Sequence, residues 1–239
     1  SHVDTLGALL LLGATLLVSS PRVVGGRPWW GGIAFGAAIA AKLIPVIGAP
    51  ALLRRQPWKI VLASVATFLV LYVPYILTSG VKVLGYLPGY LSEEGYDDGT
   101  RFALLTVFVH GTAALVLAGL LILIVAILVW RRTDPANPWL GQVVMIGATL
   151  LIVSPRYPWY ALLLVPMIAM SGRWEWLAIP LALTARTLDP HLAVTRTGEL
   201  IAVVIIVFVS FHRAGPGAFG RLGGFFRHPL TVNAGATSL

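Results

Sequence analysis

Lys42 stands in the middle of an apolar stretch, Ile33 to Leu53, with Pro45 and Pro50 close behind it. A cation at mid-membrane costs roughly 2.5–3.5 kcal/mol on insertion scales, so such a residue usually serves a function or faces a wet cavity. Arg156 stands at a second break, Ser154-Pro155-Arg156-Tyr157-Pro158-Trp159-Tyr160. Both side chains are donors without acceptor capacity. Together they can hold a lipid-linked phosphate at the bilayer surface, Arg156 as a fork and Lys42 as a point charge. The bland alternative is that each snorkels or pairs with a nearby acid.

Further polar residues deserve the same weighing. His2 and Asp4 lie two apart at a helix entrance. Asp4 can be a plain N-cap of a helix starting at Thr5, worth ~1 kcal/mol, or the two can bind a sugar hydroxyl or orient a phosphate ligand. Arg186, Asp189, His191 and Arg196 fall in one short loop, read either as an Arg–Asp surface pair or as acceptor or phosphate binding. Tyr157, inside the second break, joins Lys42, Arg156, His2, Asp4 and Arg186 as a substrate-binding candidate. Glu93, Glu94, Asp97 and Asp98 have no EF-hand spacing, so a solvated loop is expected there and no metal site.

The elements that must position these residues follow from composition. Of 239 residues, 58% are hydrophobic and only 11% charged, too little polar surface for a soluble domain of this size. Backbone groups in lipid must be satisfied within the segment, and the ten-residue alternation of a barrel is missing. The expectation is an all-α polytopic transmembrane bundle. There is no cysteine, which excludes disulfides and thiolate metal sites. The net charge of +8 is spread over segment ends and the tail. That pattern orients a membrane protein and does not suggest nucleic acid as a partner.

Apolar segments lie at about 5–19, 29–41, 43–53, 58–78, 112–130, 139–153, 158–170, 174–187 and 198–212, about nine in all. Several are short of the ~20 residues that span a bilayer squarely. Short, Pro-broken helices are tolerated where they line a buried or wet cavity. Residues 1–212 read as the transmembrane region and 213–239 as a basic, flexible cytoplasmic tail.

The positive-inside rule tests the topology. If 29–53 crosses once, Arg22 and Arg27 lie opposite Arg54, Arg55 and Lys59. If it turns back at Lys42-Leu43-Ile44-Pro45, both basic loops share a side with Arg131, Arg132, Arg173, Arg213, Arg221 and Arg227. The turn is therefore expected at Lys42. The opposite, extracytoplasmic face then collects His2, Asp4, Lys42, the loop 79–111, the Ser154–Tyr160 break and the stretch Arg186–Arg196. Within 79–111 the repeated Tyr and Leu suit a helix lying in the interface. Gly32 and Gly36 form a small-residue helix contact.

The order of these pieces resembles the C-terminal part of polyprenol-phosphate-sugar-dependent glycosyltransferases of the GT-C fold, family 87 in particular. The resemblance rests on Ser1-His2-Val3-Asp4 opening a Leu-rich helix, Arg27-Pro28-Trp29-Trp30-Gly31-Gly32, Ala41-Lys42-Leu43-Ile44-Pro45, Pro50-Ala51-Leu52-Leu53-Arg54-Arg55 and the Ser154–Tyr160 break. It covers the chain up to about residue 212. It implies a multi-pass mannosyltransferase of the bacterial plasma membrane that inverts at the anomeric carbon. The implied partners are the lipid bilayer, a polyprenyl-phosphate sugar donor and an envelope glycolipid or polysaccharide acceptor. No cofactor is implied, since arginine and lysine can neutralise a monophosphate leaving group. The family's aspartate base lies in an early loop, so the catalytic base is expected upstream of Ser1 and the chain is expected to carry part of an active site. A transporter or flippase of a lipid-linked or small anionic substrate is the rival reading.

Overall fold

A computed structural model describes residues 2–19, 27–80, 89, 95–96, 101–189 and 191–214. Among them the chain is α-helical, with no strand beyond an isolated bridge between Asp134 and Asn137. The helices are α1 (His2–Ser19), α2 (Pro28–Ala41), the single turn α3 (Ala49–Leu52), α4 (Pro57–Ser79) and α5 (Thr112–Arg132). They continue with α6 (Trp139–Val153), α7 (Val165–Ser171), α8 (Ala178–Leu188) and α9 (Leu192–Ala214). By length and composition α4, α5 and α9 can each cross a membrane. The expected interfacial helix and the acidic run Glu93–Asp98 lie outside the described residues, apart from isolated positions, as does the tail beyond Ala214.

Prolines decide where helices break. The apolar segment at 43–53 is a 3-10 stretch, Ile44–Gly48, followed by α3. Pro45 and Pro50 each remove a backbone donor, and both sit at the first or second position of the new segment, where that donor would be unused anyway. In the same way Pro158 opens the 3-10 stretch Pro158–Leu163 ahead of α7. Pro74 is different, lying inside α4.

Small residues set the register. A Cβ on Gly31 would lie 2.5 Å from Cγ2 of Val18, and Arg27 N–H donates to the Leu17 carbonyl at 2.8 Å. At the other end of the pair, Gly7 faces Lys42 and Pro45. So α1 and α2 are antiparallel. Against α4 the numbers climb together: Gly32 meets Ile60 and Ala63, and Gly36 meets Ser64 and Thr67. Ser64 Oγ donates to the Gly32 carbonyl at 2.9 Å. Helices α2 and α4 are therefore parallel, and residues 42–56 must carry the chain back along α2. The expected Gly32–Gly36 contact is the α2–α4 seam, where missing side chains let backbones approach.

The turn at Lys42 is thus present, and it sorts the charges. One end of the bundle holds Arg27, Arg54, Arg55 and Lys59, with Trp29 and Trp58 in edge contact at 5.5 Å. The same end receives Arg131 and Arg132, because Thr133 packs on Gly141 in the first turn of α6. It also holds a buried pairing, Glu175 with Arg173 and, at 3.5 Å, Arg213. Lys42 and the Ser154–Tyr160 break lie at the other end. Between the ends, Gln142 Nε2 donates to Thr15 Oγ1 (3.4 Å) and the Gly48 carbonyl (3.2 Å), tying α6 to α1 and the returning segment. Around it a single large core joins Leu11, Phe35, Leu52, Ile60, Ile146 and Leu164.

Candidate active site at the broken-helix end

Asp4 and Lys42 form an ion pair across the start of α1 and the end of α2. Antiparallel packing brings them together: α1 begins where α2 stops, and Gly7 leaves room for the Lys42 turn. Helix α1 starts at His2, so Asp4 is not its cap but lies within the first turn, where a negative charge also suits the positive end of the helix dipole. Asp4 is 8% exposed and Lys42 26%. The Lys42 ammonium also lies 4.5 Å from the ring centroid of Tyr160, a cation–π contact. The alternative in which Lys42 pairs with a nearby acid is therefore realised, and a second partner from the late break holds it as well. His2 opens the same helical turn.

Arg156 is exposed and makes no hydrogen bond or ion pair with another described residue. Tyr157, its neighbour, stacks on Trp159 with ring centroids 4.2 Å apart. Together with Tyr160 over Lys42, these rings make the break an aromatic ledge with an exposed guanidinium at its rim. The sequence expectation that Lys42 and the Arg156 break share one end is met, with Tyr160 as the connection.

Ser154 is the pivot of the break. It caps α6 in the left-handed region (φ 48°, ψ 58°), and its N–H donates to the Leu150 carbonyl at 2.9 Å. Its hydroxyl donates to Glu199 Oε2 at 2.9 Å and accepts from Ala103 N–H at 3.2 Å. Its carbonyl accepts from Arg186 Nη1 at 2.8 Å. Arg186 is thus turned inward onto the break. In place of the expected Arg–Asp surface pair, Asp189 pairs with His191. Helix α8 runs on to Leu188, so Arg186 sits in its last turn and is directed to α6. The exposed Asp189 carboxyl is held below the usual carboxylate range, chiefly by hydrogen bonding from His191.

Arg196 also leaves the expected loop, because α9 begins at Leu192. It donates to the Ala103 carbonyl (3.0 Å) and to Thr106 Oγ1 (3.1 Å). One turn apart on this helix, Thr195 and Glu199 are each 1% exposed. In the sequence the only sign of Glu199 is a carboxylate inside an otherwise apolar run. Among the described residues no group of three or more His, Asp or Glu side chains gathers as metal ligands would.

Fold and site together define an all-helical membrane protein whose orienting cations crowd one end and whose engaged polar groups, with aromatic rings, occupy the other. The model of glycosyltransferase family 87 matches residues 2–155, and the chain belongs to that family. The match takes in α1, the Lys42 turn and α6 up to the Ser154 pivot. The chain is also similar to a polyprenol-phosphate-mannose-dependent alpha-(1-2)-phosphatidylinositol pentamannoside mannosyltransferase of Mycolicibacterium smegmatis. The two are 25% identical over 199 residues, covering 72% of this chain and 47% of that protein. The chain thus spans about half the length of the curated relative. No solved structure matches it.

Proposed function

We propose that the protein transfers a mannosyl group from a polyprenyl-phosphate donor to an envelope glycolipid or polysaccharide, with this chain supplying the lipid-phosphate side of the site. Family membership and the mannosyltransferase relative support the reaction class. The observation that carries the reading in this chain is the meeting of Lys42 and the Arg156 break at one end, joined through Tyr160. In the bacterial plasma membrane this end would face away from the cytoplasm, since the cation-rich end obeys the positive-inside rule.

The chemistry suits the residues. As the bond between the anomeric carbon and the phosphate oxygen breaks, negative charge grows on the departing lipid phosphate. The acceptor oxygen bonds to the anomeric carbon from the opposite face, and its proton passes to a carboxylate base. Arg156 offers two parallel N–H donors to the phosphate. Lys42 adds fixed positive charge near a low-dielectric boundary, where it acts more strongly than in water. Asp4 keeps that ammonium oriented, and being engaged there it is not assigned as the base. The ring pair Tyr157–Trp159 gives the sugar or the first isoprene units an apolar surface.

The test is a transfer assay in membranes carrying the full-length protein. Labelled mannose should move from polyprenyl-phosphate-mannose into a glycolipid fraction. Transfer directly from a nucleotide sugar would overturn the donor assignment. Passage of the intact donor across the bilayer, with no new glycosidic bond, would make the protein a transporter.

A further inference from the structure

We infer that Glu199 is a positioning residue, which acts through Ser154 to set the place of Arg156. The inference rests on the phosphate role of Arg156 proposed above, and it adds a function for a carboxylate which that reading leaves unused.

The argument starts from backbone strain. Ser154 holds φ 48°, a conformation a residue with a Cβ reaches at a penalty of order 1–3 kcal/mol and keeps only where its surroundings enforce it. The enforcement is visible. Its hydroxyl hydrogen goes to Glu199 on α9, its hydroxyl oxygen takes the Ala103 N–H, and its carbonyl takes Arg186 of α8. Three separate parts of the chain therefore converge on one residue. Two residues later comes Arg156, exposed and without another described partner to hold it. The direction of its side chain is set by the backbone that Ser154 fixes.

Glu199 is the anchor of this arrangement. It is 1% exposed, inside a helix apolar enough to cross a membrane. A carboxylate there is costly, so it must do something a leucine cannot. Arg186 donates to the carbonyl of the same Ser154, and Arg196, one turn before Glu199, straps Ala103 from the same helix. Glu199 Oε2 receives the Ser154 hydroxyl, a hydrogen bond strengthened by the low dielectric around it. The helix α9 thus reaches across to a residue 45 positions earlier and holds the break in one state.

The experiment uses the full-length protein freed of other cysteines, with nitroxide labels at Leu43→Cys and Arg156→Cys, both exposed positions at the same end. Electron–electron distance measurement should give one narrow distribution. Glu199→Ala and Ser154→Gly should each broaden it, and the double variant should broaden it no further than either alone. Glu199→Gln, which still accepts the Ser154 hydrogen, should restore the narrow distribution and so separates positioning from a folding defect. An unchanged distribution in Glu199→Ala and Ser154→Gly would overturn the inference. In the protein that retains Arg156, Glu199→Ala should lower kcat by up to about 100-fold, the loss expected when a group is misplaced by an ångström, and Glu199→Gln should recover most of it. If the distances broaden and transfer is unaffected, Glu199 still positions the break, and the phosphate role of Arg156 is what fails.

Discussion

Trp58 meets Trp29 edge to face, ring centroids 5.5 Å apart at an interplanar angle of 89°. Because Trp29 opens α2 and Trp58 opens α4, two parallel helices start at one end, and the chain between them must turn and return. The turn is Lys42. Impermeant thiol reagent should therefore treat Arg27→Cys and Arg54→Cys alike, labelling both or neither from a given side, and should reach Leu43→Cys from the opposite side. Labelling of Arg27→Cys and Arg54→Cys from different sides would show a single crossing and undo the assignment of ends.

The α2–α4 seam predicts a sharp contrast between two glycines. A Cβ on Gly36 would lie 2.4 Å from the Ser64 carbonyl oxygen and 2.8 Å from its Cα, whereas a Cβ on Gly119 meets nothing within 4 Å. Gly36→Ala should destabilise by about 1–3 kcal/mol, since backbone must move. Gly119→Ala, in the exposed interior of α5, should be neutral or stabilising by up to ~1 kcal/mol. Thermal unfolding in detergent compares them, and equal midpoints for the two variants would contradict the close approach.

Asp4 and Lys42 should show thermodynamic coupling. Asp4→Asn leaves a half-buried ammonium without its acid, and Lys42→Met leaves a buried carboxylate without its cation. Removing both should be less harmful than the sum of the single changes, with a coupling of about 0.5–3 kcal/mol. Additive losses in the double-mutant cycle would mean the pair contributes no more than two independent charges.

Charge at the proposed phosphate site should matter more in the transition state than in the bound ground state. Lys42→Met and Arg156→Met are each expected to lower kcat along with kcat/KM by ~10²–10³-fold. Arg156→Lys should recover only part of the loss, because an ammonium cannot form a bidentate fork. Activity within a few-fold of the parent, at normal expression, would return both residues to a structural role.

What the sequence determined by itself was local. Apolar segments separated by prolines fixed an all-helical membrane protein, and the placement of arginines located the turn at Lys42, because helix formation and lipid compatibility are properties of short stretches. The returning segment 43–53 is visible in the sequence as a short apolar run broken by Pro45 and Pro50, and the fold shows the break as a 3-10 stretch followed by a single helical turn. Only the tertiary structure could decide partners. Asp4 proved to be Lys42's acid and not an N-cap, because antiparallel packing of α1 on α2 set them side by side. Asp189 went to His191, two residues away, while Arg186 was drawn to Ser154 by the packing of α8 along α6. The partner of Glu199 is a hydroxyl 45 residues distant in the chain. A sequence shows that such a carboxylate is expensive in a membrane helix; which hydroxyl satisfies it depends on how helices far apart in the chain come to lie together.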